Sequence, residues 1–229
     1  MTIKHALISV SDKTGIIDLA KKLVFKHTTL GGPRYPYNVE PIQLATLVME
    51  FERVRALTGN IVEIGVARGM TTRFLSQHIV NEKLENTLTY YAIDTFDSFT
   101  SGDLKYEVEQ RGKSLNELKG FAYNDFSIWQ KNFNNFPFVK AIKSDCSTYD
   151  YSQIKPIKLT FLDVDLYLPT KKALPKIYGA TISGGVILVD DVMNNAAYDG
   201  AYQAFMEFCK EQKLPPKVIG NKCGFIQKV

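Results

Sequence analysis

The sequence of 229 residues predicts an α/β domain built on parallel strands. Two observations support this fold class. Between Asn60 and Thr72 a strand runs into a glycine-bearing turn and the start of a helix, and Lys158 to Val192 read as strand, helix and strand. Strands joined through a helix lie parallel, because the crossover returns the chain to the same edge of the sheet. Open α/β sheets bind ligands at the carboxyl ends of such strands.

Composition and charge are those of an ordinary globular protein, with 45% hydrophobic and 23% charged residues, and predict one soluble domain. The sequence shows neither a membrane-spanning run nor an apolar signal core. Its net charge of +4 is spread along the chain, so we expect no membrane or nucleic-acid partner. Cys146, Cys209 and Cys223 are far apart, which fits neither a disulfide framework nor a zinc site and indicates the cytoplasm.

Residues 1–41 are predicted to form an amino-terminal extension that ends in a loop on the substrate side. His5 to Leu23 read as an apolar run, a turn and an amphipathic helix. This stretch resembles the opening of the IMP cyclohydrolase domain, but no second glycine-rich phosphate loop follows, so purine cyclisation is not expected. An added β–α piece or an element for homodimer formation is the expected role. Gly31 to Pro41 carry Arg34, Tyr35 and Tyr37, which suit either substrate recognition or a stiff linker.

The central strand carries one acid and is followed by two glycines. Glu63 interrupts a run of β-branched residues, where a strand covered on both faces should carry no charge. Gly65 and Gly69 allow a tight turn, and Thr71 and Thr72 are expected to cap the next helix. An ordinary βα connection would show the same two glycines.

The glycine pattern argues against NAD, because Ala67 and Met70 stand where the dinucleotide fingerprint has its second and third glycines. Glu63-x-Gly65-x-Ala67-x-Gly69 instead resembles motif I of class I S-adenosylmethionine (SAM)-dependent methyltransferases, whose commonest form has glycine at Ala67. The resemblance implies that the turn packs against the methionine part of SAM. The cofactor residues that it implies are Glu63, Gly65, Val66, Ala67, Arg68, Gly69 and Thr71.

Two further strands are predicted at Thr87 to Asp94 and at Phe138 to Ile142. An acid at the end of the first can accept hydrogen bonds from ribose hydroxyls, although it would equally cap the next turn. In the fold implied by the resemblance, a polar residue after the strand Phe138 to Ile142 faces the adenine ring. The alternative is that the residues after this strand only form a surface turn. The added cofactor candidates are Asp94, Thr95, Asp145 and Cys146.

Helices and a hairpin complete the chain. Ile42 to Leu57 have apolar residues at helical spacing, as do Ala197 to Gln212. Thr95 to Phe136, rich in aromatic and charged residues, predict short helices or a lid beside the site. Val218-Ile219 and Phe225-Ile226 predict a terminal hairpin.

Two apolar strands in the second half of the sequence end in acids. Leu159 to Leu162 precede Asp163 and Asp165, and Val186 to Val189 precede Asp190 and Asp191. The helix between them should begin after Pro169, and Ser183 to Gly185 should form the turn back. Parallel neighbours bring their carboxyl ends together, so the acids would repel one another unless a cation such as Mg²⁺ joined them. Separate capping of turns by each acid is the alternative.

The segments FLDVDLYLPTKKAL and SGGVILVDD resemble the macrocin O-methyltransferase family, metal-assisted sugar O-methyltransferases that use SAM. The likeness extends from Ile61 to about Phe208. It implies a Rossmann-like class I methyltransferase fold over residues 42–229, with a mostly parallel seven-stranded sheet and a C-terminal antiparallel hairpin.

The same resemblance assigns roles to the acids. It implies that Asp163, Asp190 and Asp191 bind Mg²⁺ and that Asp163 also acts as the base, while Asp165 matches the motif without an assigned role. Leu166 stands where catechol-type enzymes carry a basic lysine. The expected reaction is methyl transfer from SAM to a small hydroxylated substrate, a sugar or a glycosylated metabolite. A metal-independent methyltransferase and a non-catalytic SAM-binding protein are the alternatives.

Overall fold

The structure is a computed structural model that describes residues 27–29, 32–33, 39–118, 120 and 124–229. The chain divides into two units, residues 1–38 and residues 39–229. In the first unit, β1 (His27–Thr29) pairs antiparallel with β2 (Gly32–Pro33). The segment His5 to Leu23 and the side chains of Arg34, Tyr35 and Tyr37 lie outside the described residues. The roles proposed for this extension and the domain boundary at residue 41 therefore stay predictions.

The second unit contains one seven-stranded sheet. Its strands are β3 (Asn60–Ile64), β4 (Tyr90–Asp94), β5 (Val139–Lys143), β6 (Ile157–Leu162), β7 (Thr181–Val189), β8 (Lys217–Ile219) and β9 (Cys223–Gln227). Their order across the sheet is β5-β4-β3-β6-β7-β9-β8. The pairs from β5 to β7 are parallel, whereas β9 pairs antiparallel with both β7 and β8. The predicted fold class, including the C-terminal hairpin, is confirmed.

Six α-helices are described in this unit, and short helices do occupy the segment between the second and third predicted strands. They are α1 (Pro41–Arg53), α2 (Met70–Asn81), α3 (Ser101–Arg111), α4 (Phe126–Asn132), α5 (Tyr167–Ala180) and α6 (Gly200–Glu211), and a 3₁₀ helix spans Tyr151–Ile154. Within the described residues, every helix is too short or too polar to cross a membrane.

Two predicted helix starts were wrong. Helix α2 begins at Met70 behind the N-cap Gly69, so Thr71 and Thr72 lie inside its first turn and do not cap it. A residue with positive φ is needed at that cap, and glycine adopts it without strain. Helix α5 begins at Tyr167, two residues before Pro169, because proline is tolerated in a first helical turn, where its missing N–H has no partner to lose.

The turn predicted at Ser183 to Gly185 was also wrong, because these residues belong to β7. The pairing with β6 jumps from Ile157–Thr181 to Leu159–Val186, so the extra residues form a bulge within the strand. The bulge leaves the rest of β7 in register with β6. The ends of the two strands therefore still lie side by side.

The core packs the centre of the sheet against α5 and α6. Val62, Leu162 and Ile187 from neighbouring strands lie in one buried cluster with Leu174 and Phe205 from these helices. Full burial of such a side chain stabilises the fold by about 1.5–3 kcal/mol. All six residues of β6 are buried, which fixes the strand that precedes Asp163.

Candidate active site

The turn after β3 lies directly against the end of β6. Gly65 has φ of 79°, and a Cβ placed there would come within 1.7 Å of the Asp163 carbonyl oxygen. Only glycine fits this position, because any other residue would meet both the backbone strain and the clash. The predicted cofactor turn and the first predicted acid are therefore in contact.

Asp94 holds this turn in place. Its Oδ2 accepts hydrogen bonds from the backbone N–H of Val66 (2.8 Å) and of Ala67 (3.2 Å). Its Oδ1 accepts from the N–H of Phe96 at 2.6 Å, and the Thr95 hydroxyl is 3.4 Å from it. The carboxylate thus holds the loop after β3 and the loop after β4 together through hydrogen bonds. Its contact with a ribose, and that of Thr95 with the cofactor, stay predictions.

Glu63 lies inside the sheet, with 1% of its surface exposed. The Tyr90 hydroxyl donates a hydrogen bond of 2.5 Å to Glu63 Oε2. Burial raises the pKa of Glu63 to about 7, although this hydrogen bond works in the opposite direction. The acid of the glycine motif is thus placed to fix β3 against β4. Among the other predicted cofactor residues, Arg68 is exposed and Thr71 is half-buried.

Aromatic side chains of α4 and of the residue that follows it cover the glycine turn. A Cβ at Gly69 would lie 2.6 Å from the Phe133 ring and 2.9 Å from Trp129 Nε1. The two rings stack with centroids 4.0 Å apart. Trp129 Nε1 is buried and has no hydrogen-bond acceptor among the described residues. Buried N–H groups are nearly always paired, so an unpaired one beside the glycine turn is unusual.

Asp145 and Cys146 form a tight turn after β5. Asp145 Oδ1 accepts from the Ser147 N–H at 2.7 Å, and the Tyr151 hydroxyl donates to the Cys146 carbonyl at 3.1 Å. Burial, together with the charge of Asp145, raises the pKa of the Cys146 thiol to about 12, so the thiol stays protonated. A raised pKa disfavours the thiolate that a nucleophilic cysteine needs. Their contact with adenine stays a prediction.

Three carboxylates meet at the ends of β6 and β7. Asp163, Asp165 and Asp191 each offer an oxygen, and these atoms lie within 4.8 Å of one another. The backbone is left-handed at Asp165 (φ 61°) and at Asp191 (φ 56°). Such conformations are uncommon outside glycine and cluster at functional sites.

The three carboxylates oppose one another electrostatically. Burial, and then the charges of Asp190, Asp165 and Asp191, raise the pKa of Asp163 well above its usual range. Burial and the neighbouring Asp191 raise the pKa of Asp165 in the same way. The cluster therefore favours the arrival of positive charge, either as protons or as a cation.

Asp190 is held outside this group. Its Oδ1 accepts from Gln43 Nε2 at 2.5 Å and from the Asp191 N–H at 2.6 Å. Lys222 Nζ lies 3.2 Å from Asp190 Oδ1 and 2.7 Å from Asp191 Oδ1. Burial alone would lower the pKa of Lys222, but the two carboxylates raise it above its usual value. Asp165 therefore lies within the gathered set and Asp190 outside it, while the metal-binding role predicted for Asp163, Asp190 and Asp191 stays a prediction.

A charged network ties α3 to the acidic edge. Glu107 is buried, and its Oε1 accepts from the Tyr167 N–H at 2.7 Å, which caps the start of α5. Arg111 bridges Glu107 (2.8 Å) and Asp199 (2.6 Å). Asp199 is the N-cap residue of α6. Only the four-residue spacing of Glu107 and Arg111 was visible in the sequence, and it gave no sign of the link to α5 and α6.

The sequence profile of the Macrocin-O-methyltransferase (TylF) family matches residues 42–228. The chain belongs to the macrocin O-methyltransferase family. Like its family, it is a SAM-dependent O-methyltransferase, and its Rossmann-like sheet is the one expected of these enzymes.

Solved structures share the fold of this family member. The O-methyltransferase NovP is 19% identical, with 95% of this chain and all of NovP (100%) covered and a TM-score of 0.69. The calicheamicin methyltransferase CalS11 is 16% identical, with 97% and 94% covered and a TM-score of 0.64. The apo structure of CalS11, described as a TDP-rhamnose 3′-O-methyltransferase, is 17% identical, with 96% of each chain covered and a TM-score of 0.58. No curated protein matches the sequence.

Proposed function

We propose that this family member is a Mg²⁺-assisted O-methyltransferase that methylates a hydroxyl of a small molecule, a sugar or a glycosylated metabolite. The contact between Gly65 and the Asp163 carbonyl carries the proposal, because it sets the predicted cofactor turn beside the acidic edge. The sugar class is supported by CalS11, whose description names a TDP-rhamnose substrate. Reacting groups held in this way gain rate from orientation alone.

The glycine turn and its neighbours would hold SAM, which supplies a methyl group on a sulfonium. Backbone atoms from Gly65 to Gly69 line the turn, and Asp94 fixes its shape. The buried N–H of Trp129 fits a polar ligand at this place, since it has no acceptor among the described residues. Asp145 and Cys146 would border the adenine.

Asp163, Asp165 and Asp191 would hold Mg²⁺, and hard carboxylate oxygens suit this ion. When bound, the ion supplies a Lewis acid that lowers the pKa of a substrate hydroxyl. Asp163, the base that the family resemblance implies, would lie beside that hydroxyl and accept its proton. Asp190, engaged by Gln43 and Lys222, would support the site from outside.

A metal-independent methyltransferase is the second candidate, favoured by Lys222. Its ammonium already lies against Asp190 and Asp191 and neutralises part of their charge. In this reading the acids would orient the substrate through hydrogen bonds, and methyl transfer would be insensitive to chelators.

Location and partners belong to the proposal as well. Cys146, Cys209 and Cys223 are all free and buried, which supports a reducing compartment such as the cytoplasm. A small-molecule substrate without nucleic-acid or membrane partners, and a homodimer, are proposed on the sequence alone.

Calorimetric titration with SAM and with Mg²⁺ tests the proposal. Wild type should bind both ligands, Gly65→Val should lose SAM, and Asp191→Asn should lose Mg²⁺. Asp190→Asn tests whether Asp190 or Asp165 is the third ligand beside Asp163 and Asp191. This variant should keep Mg²⁺ binding if the third ligand is Asp165. Methyl uptake by glycosides, phenols and catechols, with and without EDTA, completes the test. Uptake by aromatics alone would refute the sugar class, and full activity in EDTA would favour the metal-independent candidate.

A further inference from the structure

Lys222 enters the acidic edge from a distant part of the chain. It lies in the loop of the hairpin between β8 and β9, and its carbonyl accepts a hydrogen bond of 2.8 Å from the Val192 N–H. This bond joins the hairpin loop to the segment just after the acids of β7. The Lys222 side chain is 16% exposed, so its ammonium is held inside the protein. The hairpin thus places a fixed positive charge beside Asp190 and Asp191.

Asp191 is shared between this ammonium and the cluster of three acids. Its Oδ1 lies 2.7 Å from Lys222 Nζ, while an Asp191 oxygen also lies within 4.8 Å of oxygens of Asp163 and Asp165. A divalent ion bound by these acids must therefore attract a carboxylate that is already paired, and it must do so close to a fixed positive charge. Both effects weaken its binding.

We propose that Lys222 is a positioning residue that competes with the divalent cation for Asp191, holding Asp190 and Asp191 in place before the ion arrives and lowering affinity for it. This inference rests on the proposed function, because it assumes the Mg²⁺ site. Without Lys222 the metal-free cluster would carry one more uncompensated negative charge. The metal-free protein would then be less stable, while the ion would bind more tightly.

These two opposite changes separate the proposal from a purely structural role. A residue that only supported the fold would, when replaced, weaken both the protein and its metal site. Lys222→Met removes the charge but keeps an unbranched side chain. Lys217→Met is the matched control, because Lys217 lies in β8 of the same hairpin and its ammonium stands 4.1 Å from the centre of the Phe225 ring.

The experiment measures Mn²⁺ affinity by calorimetry and the melting temperature in EDTA. Lys222→Met should bind Mn²⁺ at least about tenfold more tightly than wild type and melt several degrees lower in EDTA. The Lys217→Met control should match wild type in Mn²⁺ affinity. Lys222→Arg keeps the charge and should bind Mn²⁺ within about twofold of wild type. If Lys222→Met does not fold, Lys222→Gln, which also removes the charge, replaces it in both measurements with the same expected changes.

Equal or weaker Mn²⁺ binding by Lys222→Met, or tenfold tighter binding by Lys222→Arg, would overturn the inference. If wild type itself bound no Mn²⁺, the metal part of the proposed function would fail, and this inference with it. Binding of Mn²⁺ to wild type and to Lys222→Met with the same affinity would remove the inference alone.

Discussion

The two halves of the site lie at the ends of neighbouring strands and differ in how their charges are satisfied. At the predicted cofactor turn, Asp94 at the end of β4 accepts backbone hydrogen bonds from three residues. At the acidic edge, Asp163, Asp165 and Asp191 face one another, and an ammonium from Lys222 reaches only the last of them. The turn is therefore formed before any ligand binds, whereas under the proposed function a cation would complete the acidic edge. One sheet thus carries a turn whose acid is fully hydrogen-bonded next to a group of acids that repel one another.

The largest effect is expected where the two halves touch. Gly65→Ala would set a Cβ 1.7 Å from the Asp163 carbonyl in a left-handed backbone, so we expect a loss of about 4 kcal/mol in the free energy of unfolding and no SAM binding. Gly112→Ala is the control, because Gly112 also has positive φ but has open space around it, and it should cost about 1 kcal/mol. Urea unfolding and SAM titration measure both variants. Equal costs for the two would show that the contact is unimportant.

The next effect comes from Glu63 at the base of the turn. Its pKa is raised from 4.5 to about 7 in the folded protein, so the native state holds a proton that the unfolded chain releases. The stability linked to this proton is complete below pH 4.5 and is lost as the pH rises through about 7, a change of about 3 kcal/mol. Urea unfolding of wild type and Glu63→Gln from pH 4.5 to 8 isolates this contribution. Parallel curves for the two proteins would contradict it.

At the acidic edge, removing one carboxylate should stabilise the fold and destroy function. We expect Asp163→Asn to raise the free energy of unfolding of the metal-free protein at pH 8 by about 1 kcal/mol, because burial and three neighbouring acids disfavour its charge. Methyl transfer should fall at least about 100-fold. Asp97→Asn, at an exposed position, should change neither quantity. A destabilised Asp163→Asn would mean that the acids are better compensated than their contacts indicate.

The smallest effect is expected at Trp129. Trp129→Phe keeps most of the ring and removes the N–H that has no acceptor among the described residues, so stability should change by less than about 1 kcal/mol. SAM affinity should fall about fivefold, the equivalent of one hydrogen bond. Unchanged SAM binding would place this N–H away from the cofactor.

The sequence predicted the sheet because hydrophobic periodicity and the spacing of strand, helix and strand are local signals. It also predicted that acids would gather at the ends of β6 and β7, since parallel neighbours end together. It did not predict Gln43 or Lys222, because no local pattern pairs Gln43 with Asp190, 147 residues away. The left-handed backbone at Asp165 and Asp191 was equally invisible, and this conformation accompanies the gathering of Asp165 in place of Asp190.

The bulge in β7 and the start of α2 were missed for a related reason. Gly184 and Gly69 were predicted in turns, and the cap of α2 was assigned to Thr71 and Thr72. The structure places Gly184 inside β7, where the pairing with β6 shifts, and Gly69 at the N-cap of α2, against Phe133. Tertiary contacts thus overrode the local reading at the places where the backbone is most permissive.

The backbone ladder that joins the two halves has a consequence for partly unfolded forms of the enzyme. The Gly65 amide donates to the Ile93 carbonyl at 2.9 Å, and the Asp163 amide donates to the Ile64 carbonyl at 2.8 Å, both at the carboxyl ends of central strands. We expect both amides to exchange with deuterium only when the central strands open. The glycine turn and the acidic edge would then lose their order in one cooperative step. Thermal inactivation should therefore pass through no species that binds SAM but lacks an ordered acidic edge.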